Sequence, residues 1–319
     1  MKTSLSYWAK DERAEASKIA IVRRNFFTIF AKINIYRAEL KRICKIIACL
    51  GLLGAVCLPL RASLKEDVEH LSDPLLEGRR PGTRGSVEAS VYIMRRFQQI
   101  GLQPKLQFFL APAGIGRNVY SVCRQNPKSD KYVLICAHYD GLGVIGDNLY
   151  PCADSNASGV AVMLYLSESL SDNGCNYIFA ALDVHDGLAG AENLAGLPYK
   201  ISMVVNIDTV GSTLAPPNKY RPDFLIALGG KEYEKQFDKA NEGPKLRLYY
   251  DYYRSKGFTD YFYTRISDQA PFLQRKIKAV MFTSGITMNT NKPSDTAQTL
   301  DYEVLERRAI LIHNWILSL

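Results

Sequence analysis

The residues best suited to chemistry lie in KYVLICAHYDGLGVIGDNLYPCADSNASGVAVMLYL, residues 131–166. His138 and Asp140 form a His-x-Asp triplet just after a short apolar run, Tyr132 to Ala137. An imidazole so placed can bind a metal through one ring nitrogen, while a carboxylate two residues on orients a ligand. The plain alternative is a buried histidine satisfied by one hydrogen bond. A loop with Gly141, Gly143 and Gly146 follows, then Asp154-Ser155-Asn156-Ala157-Ser158-Gly159 and a second apolar segment.

The apolar run reads as a buried strand, and Val160 to Leu170 as a helix. Asn156 or Ser158 is a candidate cap for that helix. Polar residues at the carboxyl end of a parallel strand, ahead of a helix, are where open α/β sheets place ligands. Further strands are expected over Leu106 to Leu110, Asn118 to Cys123, Tyr177 to Asp183, Ile201 to Asp208, Phe224 to Leu228 and Ala279 to Thr283. Helices are expected over 86–100, 188–194, 233–240, 270–274 and 302–317, and 63–75 reads as a polar lead-in. Strands alternating with helices predict an α/β fold: a three-layer sandwich with a mixed, mostly parallel sheet covered on both faces. Residues 63–319 show no repeat or low-complexity linker and read as one domain. The tyrosine-rich stretch 249–263 either packs as strand and loop or lines a cleft.

The net charge of +8 is unevenly spread. Residues 1–62 hold twelve Lys/Arg and four Asp/Glu, and the rest holds 28 of each. The basic balance therefore belongs to the leader, and no nucleic-acid partner is expected. Lys41, Arg42 and Lys45 precede the apolar run Ile46 to Leu60 and then Arg61-Ala62-Ser63. That pattern describes a signal peptide over 41–62, cut after Ala62, with an uncleaved anchor through 46–60 as the alternative. Residues 1–40 read as an N-terminal extension or a start assigned too far upstream. An exported, periplasmic, envelope-associated or secreted chain is expected. Cys123, Cys136, Cys152 and Cys175 remain after the leader. Cys136 and Cys152 flank the central loop and are candidates for a disulfide, or all four are small buried residues.

The AHYD segment, the glycine loop and P-C-A-D-S-N-A-S-G-V-A resemble the di-zinc aminopeptidases of metallopeptidase family twenty-eight, whose relatives include the glutaminyl cyclases. The resemblance spans residues 75–319, with GRRPGTRGSVEASVYIMRRFQQIGL at the front and KPSDTAQTLDYEVLERR at the back. It implies a zinc exopeptidase-like fold and two zinc ions about 3.5–4 Å apart, bridged by a carboxylate. His138 matches the first His ligand, Asp140 its orienting carboxylate, and Asp208 a terminal Asp ligand. The bridging position holds Ser155, with Asp154 one place earlier as a supporting carboxylate. The family's paired Glu falls on Val184 (the base) and His185 (a ligand), or on His185 and Asp186 if one residue is skipped. The last His ligand falls on Asn291, and Ser267-Asp268-Gln269-Ala270 matches a motif whose third residue is usually His.

The resemblance thus implies a degenerate di-metal site. The leading expectation is no functional metal; the alternative is at most one zinc, held by His138 and Asp208 with His185 or Asp186, and His185 doubles as the one candidate base. The leading expectation is an exported aminopeptidase-like protein that binds a peptide or protein amino terminus without hydrolysing it. The alternative is an active aminopeptidase, hydrolase or glutaminyl-cyclase-like enzyme working with a single zinc. A pure scaffold would have its cleft filled by side chains.

Overall fold

The structure, a computed structural model, describes residues 63–112, 114–170 and 174–319. The expectations for the leader, its signal peptide or anchor and residues 1–40 fall outside the described residues. No helix among those described is long and apolar enough to cross a membrane.

The described residues open with α1 (Leu64–Leu71), where only a polar lead-in was expected. A capping box starts it: Ser63 Oγ accepts from the Glu66 amide at 3.2 Å, and Glu66 Oε2 accepts from the Ser63 amide at 2.6 Å. Helix α2 (Arg84–Gln99) is capped by Thr83 and buries Ala89, Ile93 and Phe97 at helical spacing. The antiparallel strands β1 (Pro104–Ala111) and β2 (Gly114–Arg124) follow, then β3 (Lys131–His138) and a small hairpin, β4 (Gly143–Ile145) with β5 (Asn148–Tyr150). Next come α3 (Ser158–Ser169), β6 (Asn176–Leu182), α4 (Ala189–Ala195), β7 (Lys200–Ile207) and β8 (Phe224–Leu228). The chain closes with α5 (Glu234–Ala240), β9 (Arg247–Tyr249), α6 (Lys256–Tyr261), α7 (Ala270–Gln274), β10 (Lys278–Thr283) and α8 (Tyr302–Ile316).

Eight strands form one mixed sheet in the order β1-β2-β6-β3-β7-β10-β8-β9. The four central strands, β6, β3, β7 and β10, run parallel. Such strands are covered on both faces and need continuous apolar runs; all seven residues of β6 are buried. One face packs against α1, α2, α3, α5 and α8, the other against α4 and α7. The expected three-layer α/β sandwich is what forms. Trp315 of α8 anchors one layer, its ring centroid 4.8 Å from Phe237 and 5.4 Å from Phe282 of β10. Truncating such a side chain to Ala costs about 3–5 kcal/mol.

Neither alternative for the cysteines holds in full: Cys136 and Cys152 form no disulfide, and Cys123, Cys136 and Cys152 are buried thiols while Cys175 is exposed. The Cys136 sulfur instead faces Asn206 Oδ1 at 3.8 Å. The Asn156 side chain serves the start of α3, with Oδ1 accepting from Gly159 N at 3.0 Å, though the residue preceding the helix is Ala157. Ser158 Oγ donates back to the Asp154 carbonyl at 2.8 Å instead.

Candidate metal centre

Three adjacent strand ends build the centre. β3 ends on His138, β7 is followed by Asp208, and β6 is followed by Asp183, Val184 and His185. Because β3 lies between β6 and β7, with His138 opposite Leu182, these ends emerge side by side. His138, His185 and Asp208 each offer a donor atom, all within 4.8 Å of one another.

Each imidazole is held from behind by a carboxylate. His138 Nδ1 lies 3.4 Å from Asp140 Oδ1 and 3.2 Å from the Asp140 carbonyl. His185 Nδ1 lies 3.0 Å from Asp268 Oδ2, and its backbone N–H donates to Asp140 Oδ2 at 3.0 Å. With both Nδ1 atoms engaged, Nε2 is the donor left to each ring. His138 Nε2 is 3.6 Å from Asp208 Oδ1, and the two rings stack with centroids 4.1 Å apart. Burial opposes charge on His138, but Asp140 and Asp208 outweigh it and raise the imidazole well above its ordinary value. Burial works against the Asp208 carboxylate too, yet His138 and His185 bring it down to about 2. Burial and the His138 charge lower His185, and Asp268 together with Asp208 more than offsets them, so its net direction is up.

This donor set fits one zinc. Two imidazole nitrogens and a carboxylate oxygen are zinc's ordinary ligands, with the fourth position left for water or substrate. Bonds of about 2.0–2.1 Å in a tetrahedron put ligand atoms roughly 3.3–3.4 Å apart, near the 3.6 Å between His138 Nε2 and Asp208 Oδ1. Carboxylates behind ligating histidines fix ring orientation and tautomer, the arrangement Asp140 and Asp268 supply. Asp140 Oδ1 has the 3.4 Å ion-pair contact with His138 Nδ1 but no hydrogen bond, and Asp268 Oδ1 is buried without a donor. The His185 side chain is 24% exposed, so the centre opens on that side.

The altered positions supply no second set of ligands. Ser155, which the resemblance puts at the bridging place, offers a neutral hydroxyl rather than a carboxylate. The Asp154 side chain is turned elsewhere: Oδ1 accepts from Gly211 N at 2.6 Å and Ser158 Oγ at 3.1 Å. Burial, then the neighbouring Asp295, pushes the Asp154 carboxyl up to about 7. Val184 is buried at φ +57° and packs toward Gly116. Asp186 and Asn291 are both exposed, and Asp186 is not part of the His138–His185–Asp208 group. Of the two ways to place the paired Glu, the structure therefore brings in His185 and leaves Asp186 out. Asp183 is buried and accepts from the amides of Arg117 and Val184 at 3.0 Å each.

Four supporting residues are not legible in the sequence. Asp268 lies within a motif, with no role for its carboxylate visible there. Arg79 is fully buried and donates to the carbonyls of Leu71, Tyr139, Pro151 and Cys152, clamping both ends of the loop that leaves His138. Arg308 of α8 does the same for Val210, Ser212 and Phe224 beyond Asp208. Gln269 of the same motif is also buried; it accepts from Asn206 Nδ2 at 2.7 Å and donates to the Tyr263 carbonyl at 2.7 Å.

The architecture is that of the zinc aminopeptidases and glutaminyl cyclases. It is similar to BSAP, a zinc aminopeptidase from Bacillus subtilis, with a TM-score of 0.65 at 14% identity over 80% of this chain and 94% of that one. It is equally similar to the glutaminyl cyclase of Fimbriiglobus ruber (0.65, 16% identity, 82% and 96%). LapB from Legionella pneumophila matches at 0.64 with 18% identity, over 80% and 70%. A search of curated proteins gives no match. The profile of peptidase family M28 covers residues 118–316, more than half the chain, and the chain belongs to that family.

Proposed function

We propose that this protein is a one-metal member of the M28 family that captures peptide amino termini and turns them over poorly or not at all. The observation that carries this reading is the convergence of His138, His185 and Asp208, each histidine braced by a carboxylate. These three side chains would hold one zinc, whose chemistry there is to polarise a carbonyl or acidify a water. Asp140 and Asp268 would keep the two rings in the tautomer that presents Nε2. Hydrolysis also needs a free base beside the water. The family's base position holds Val184, and the neighbouring Asp183 has both oxygens occupied by backbone amides. This favours binding over turnover. The second reading, an active one-zinc hydrolase or cyclase, is favoured by three donors with one open side. The leader pattern supports an exported protein, and the even charge balance of residues 63–319 supports a peptide rather than a nucleic-acid partner.

The test is elemental analysis of the protein purified without chelators, alongside an assay on aminoacyl anilides. Close to one zinc per chain, lost in His138→Ala, with hydrolysis at background, is the expected result. No zinc even after incubation with excess metal would sink the metal reading. Zinc-dependent turnover would favour the enzyme.

A further inference from the structure

An open cleft of about 470 Å³ lies between the loop after Asp208 and the sheet edge β9. Its lining includes Lys219, Arg221, Arg247 and Arg254, with the rings of Tyr220 and Tyr249. Arg247 and Tyr249 are alternate residues of β9, so they share a face. Arg221 is paired with Asp223 at 3.1 Å. Among the described residues, the side chains of Lys219, Arg247 and Arg254 have no carboxylate partner; Asp251, exposed on the same segment, accepts from the Arg254 backbone N–H. Cationic groups thus face one cleft in a region, residues 63–319, whose overall charge is balanced. The cleft is also tied to the metal centre. Thr209, next to Asp208, accepts through its carbonyl from Thr283 Oγ1 at 3.3 Å, and Thr283 Oγ1 meets Tyr252 OH at 3.3 Å. The adjoining Tyr253 OH donates to Ala215 of the cleft's loop at 3.4 Å, and Arg254 follows it.

We propose that this cleft recognises the carboxylates of an acidic stretch in a peptide whose amino end lies at His138, His185 and Asp208. The choice of a peptide rests on the function proposed above; the anionic character of the ligand rests on the cleft alone. Arginine forks bind carboxylates bidentately, and cations spread over separate segments suit several spaced carboxylates better than one compact anion. The cations are exposed, so each contact is individually weak and salt-sensitive.

The test compares two fluorescent peptides with the same free amino end, one carrying a run of glutamates in its carboxyl half and the other glutamines. The glutamate peptide is expected to bind roughly tenfold more tightly at low salt, and added NaCl should shrink that advantage. Arg247→Gln with Arg254→Gln should bring it to within about twofold of the glutamine peptide. His138→Ala should weaken both peptides together and leave their ratio unchanged, which separates failure of the metal centre from failure of the cleft. Equal affinities in the unaltered protein, or a preference that survives the double arginine change, would overturn the proposal. Displacement of the glutamate peptide by dilute inorganic phosphate would overturn it in favour of a small anion.

Discussion

His185 Nδ1 and Asp268 Oδ2 stand 3.0 Å apart, although 83 residues separate them in the chain. Asp268 is fully buried and its other oxygen has no hydrogen-bond donor, so the carboxylate is dedicated to this one imidazole. Replacing a carboxylate behind a ligating histidine typically costs about 10–100-fold in metal affinity. Asp268→Asn should lower zinc affinity by about that factor while leaving the fold intact. Competition against a chromophoric chelator measures it, and an unchanged affinity would show that His185 is not a ligand.

Zinc should also stabilise the native chain by mass action. At about a hundred times its Kd, a ligand that binds only the folded state adds roughly 2.7 kcal/mol. Thermal unfolding should therefore shift upward with added zinc in the unaltered protein and stay put in His138→Ala. Equal shifts in both would place any bound metal elsewhere.

Asp154 predicts a pH dependence of stability. Its carboxyl is raised from an ordinary 3.8 to about 7 by burial and by Asp295. Between those values the native state holds a proton that the unfolded chain has lost, so stability is full below about pH 4 and falls as pH rises through 7. A shift of that size corresponds to at most ~4 kcal/mol. Asp154→Asn keeps an acceptor for Gly211 N and removes the titration. Its urea-unfolding free energy should lose this component of the decline between pH 5 and 8; a slope identical to that of the unaltered protein would show that Asp154 titrates normally.

Arg79 holds four backbone carbonyls in a site sealed from water. Arg79→Met leaves those acceptors unsatisfied and should destabilise the fold by about 3–5 kcal/mol. Arg79→Lys should recover only part, because an ammonium lacks the planar fork. Chemical denaturation reads both, and a loss under about 1 kcal/mol would mean that the loop ends are held by other contacts.

Much of this architecture is legible in local pattern. The apolar runs that become β3, β6, β7, β8 and β10 fall within a residue or two of where hydrophobicity puts them, because strands buried on both faces must be apolar throughout. Short edge pieces such as β4, β5 and β9 are not, since three residues at a sheet margin carry no such constraint. Helix α1 is a different miss: its capping box, Ser63 with Glu66, was present in the sequence and outweighs the polar composition.

The candidate site divides along the same line. The residues themselves determined the strand ends that carry His138 and Asp208, and the chemistry that imidazole and carboxylate bring there. They also show that the positions the resemblance assigns to bridge, base and last imidazole hold Ser155, Val184 and Asn291, none of which carries a carboxylate or an imidazole. Tertiary structure alone decided that His185 turns inward while Asp186 faces solvent, since a turn one residue longer or shorter reverses that choice. It alone aimed Asp154 at Gly211 and set Asp268 behind His185. Those contacts join segments distant in the chain, and a linear pattern records only neighbours.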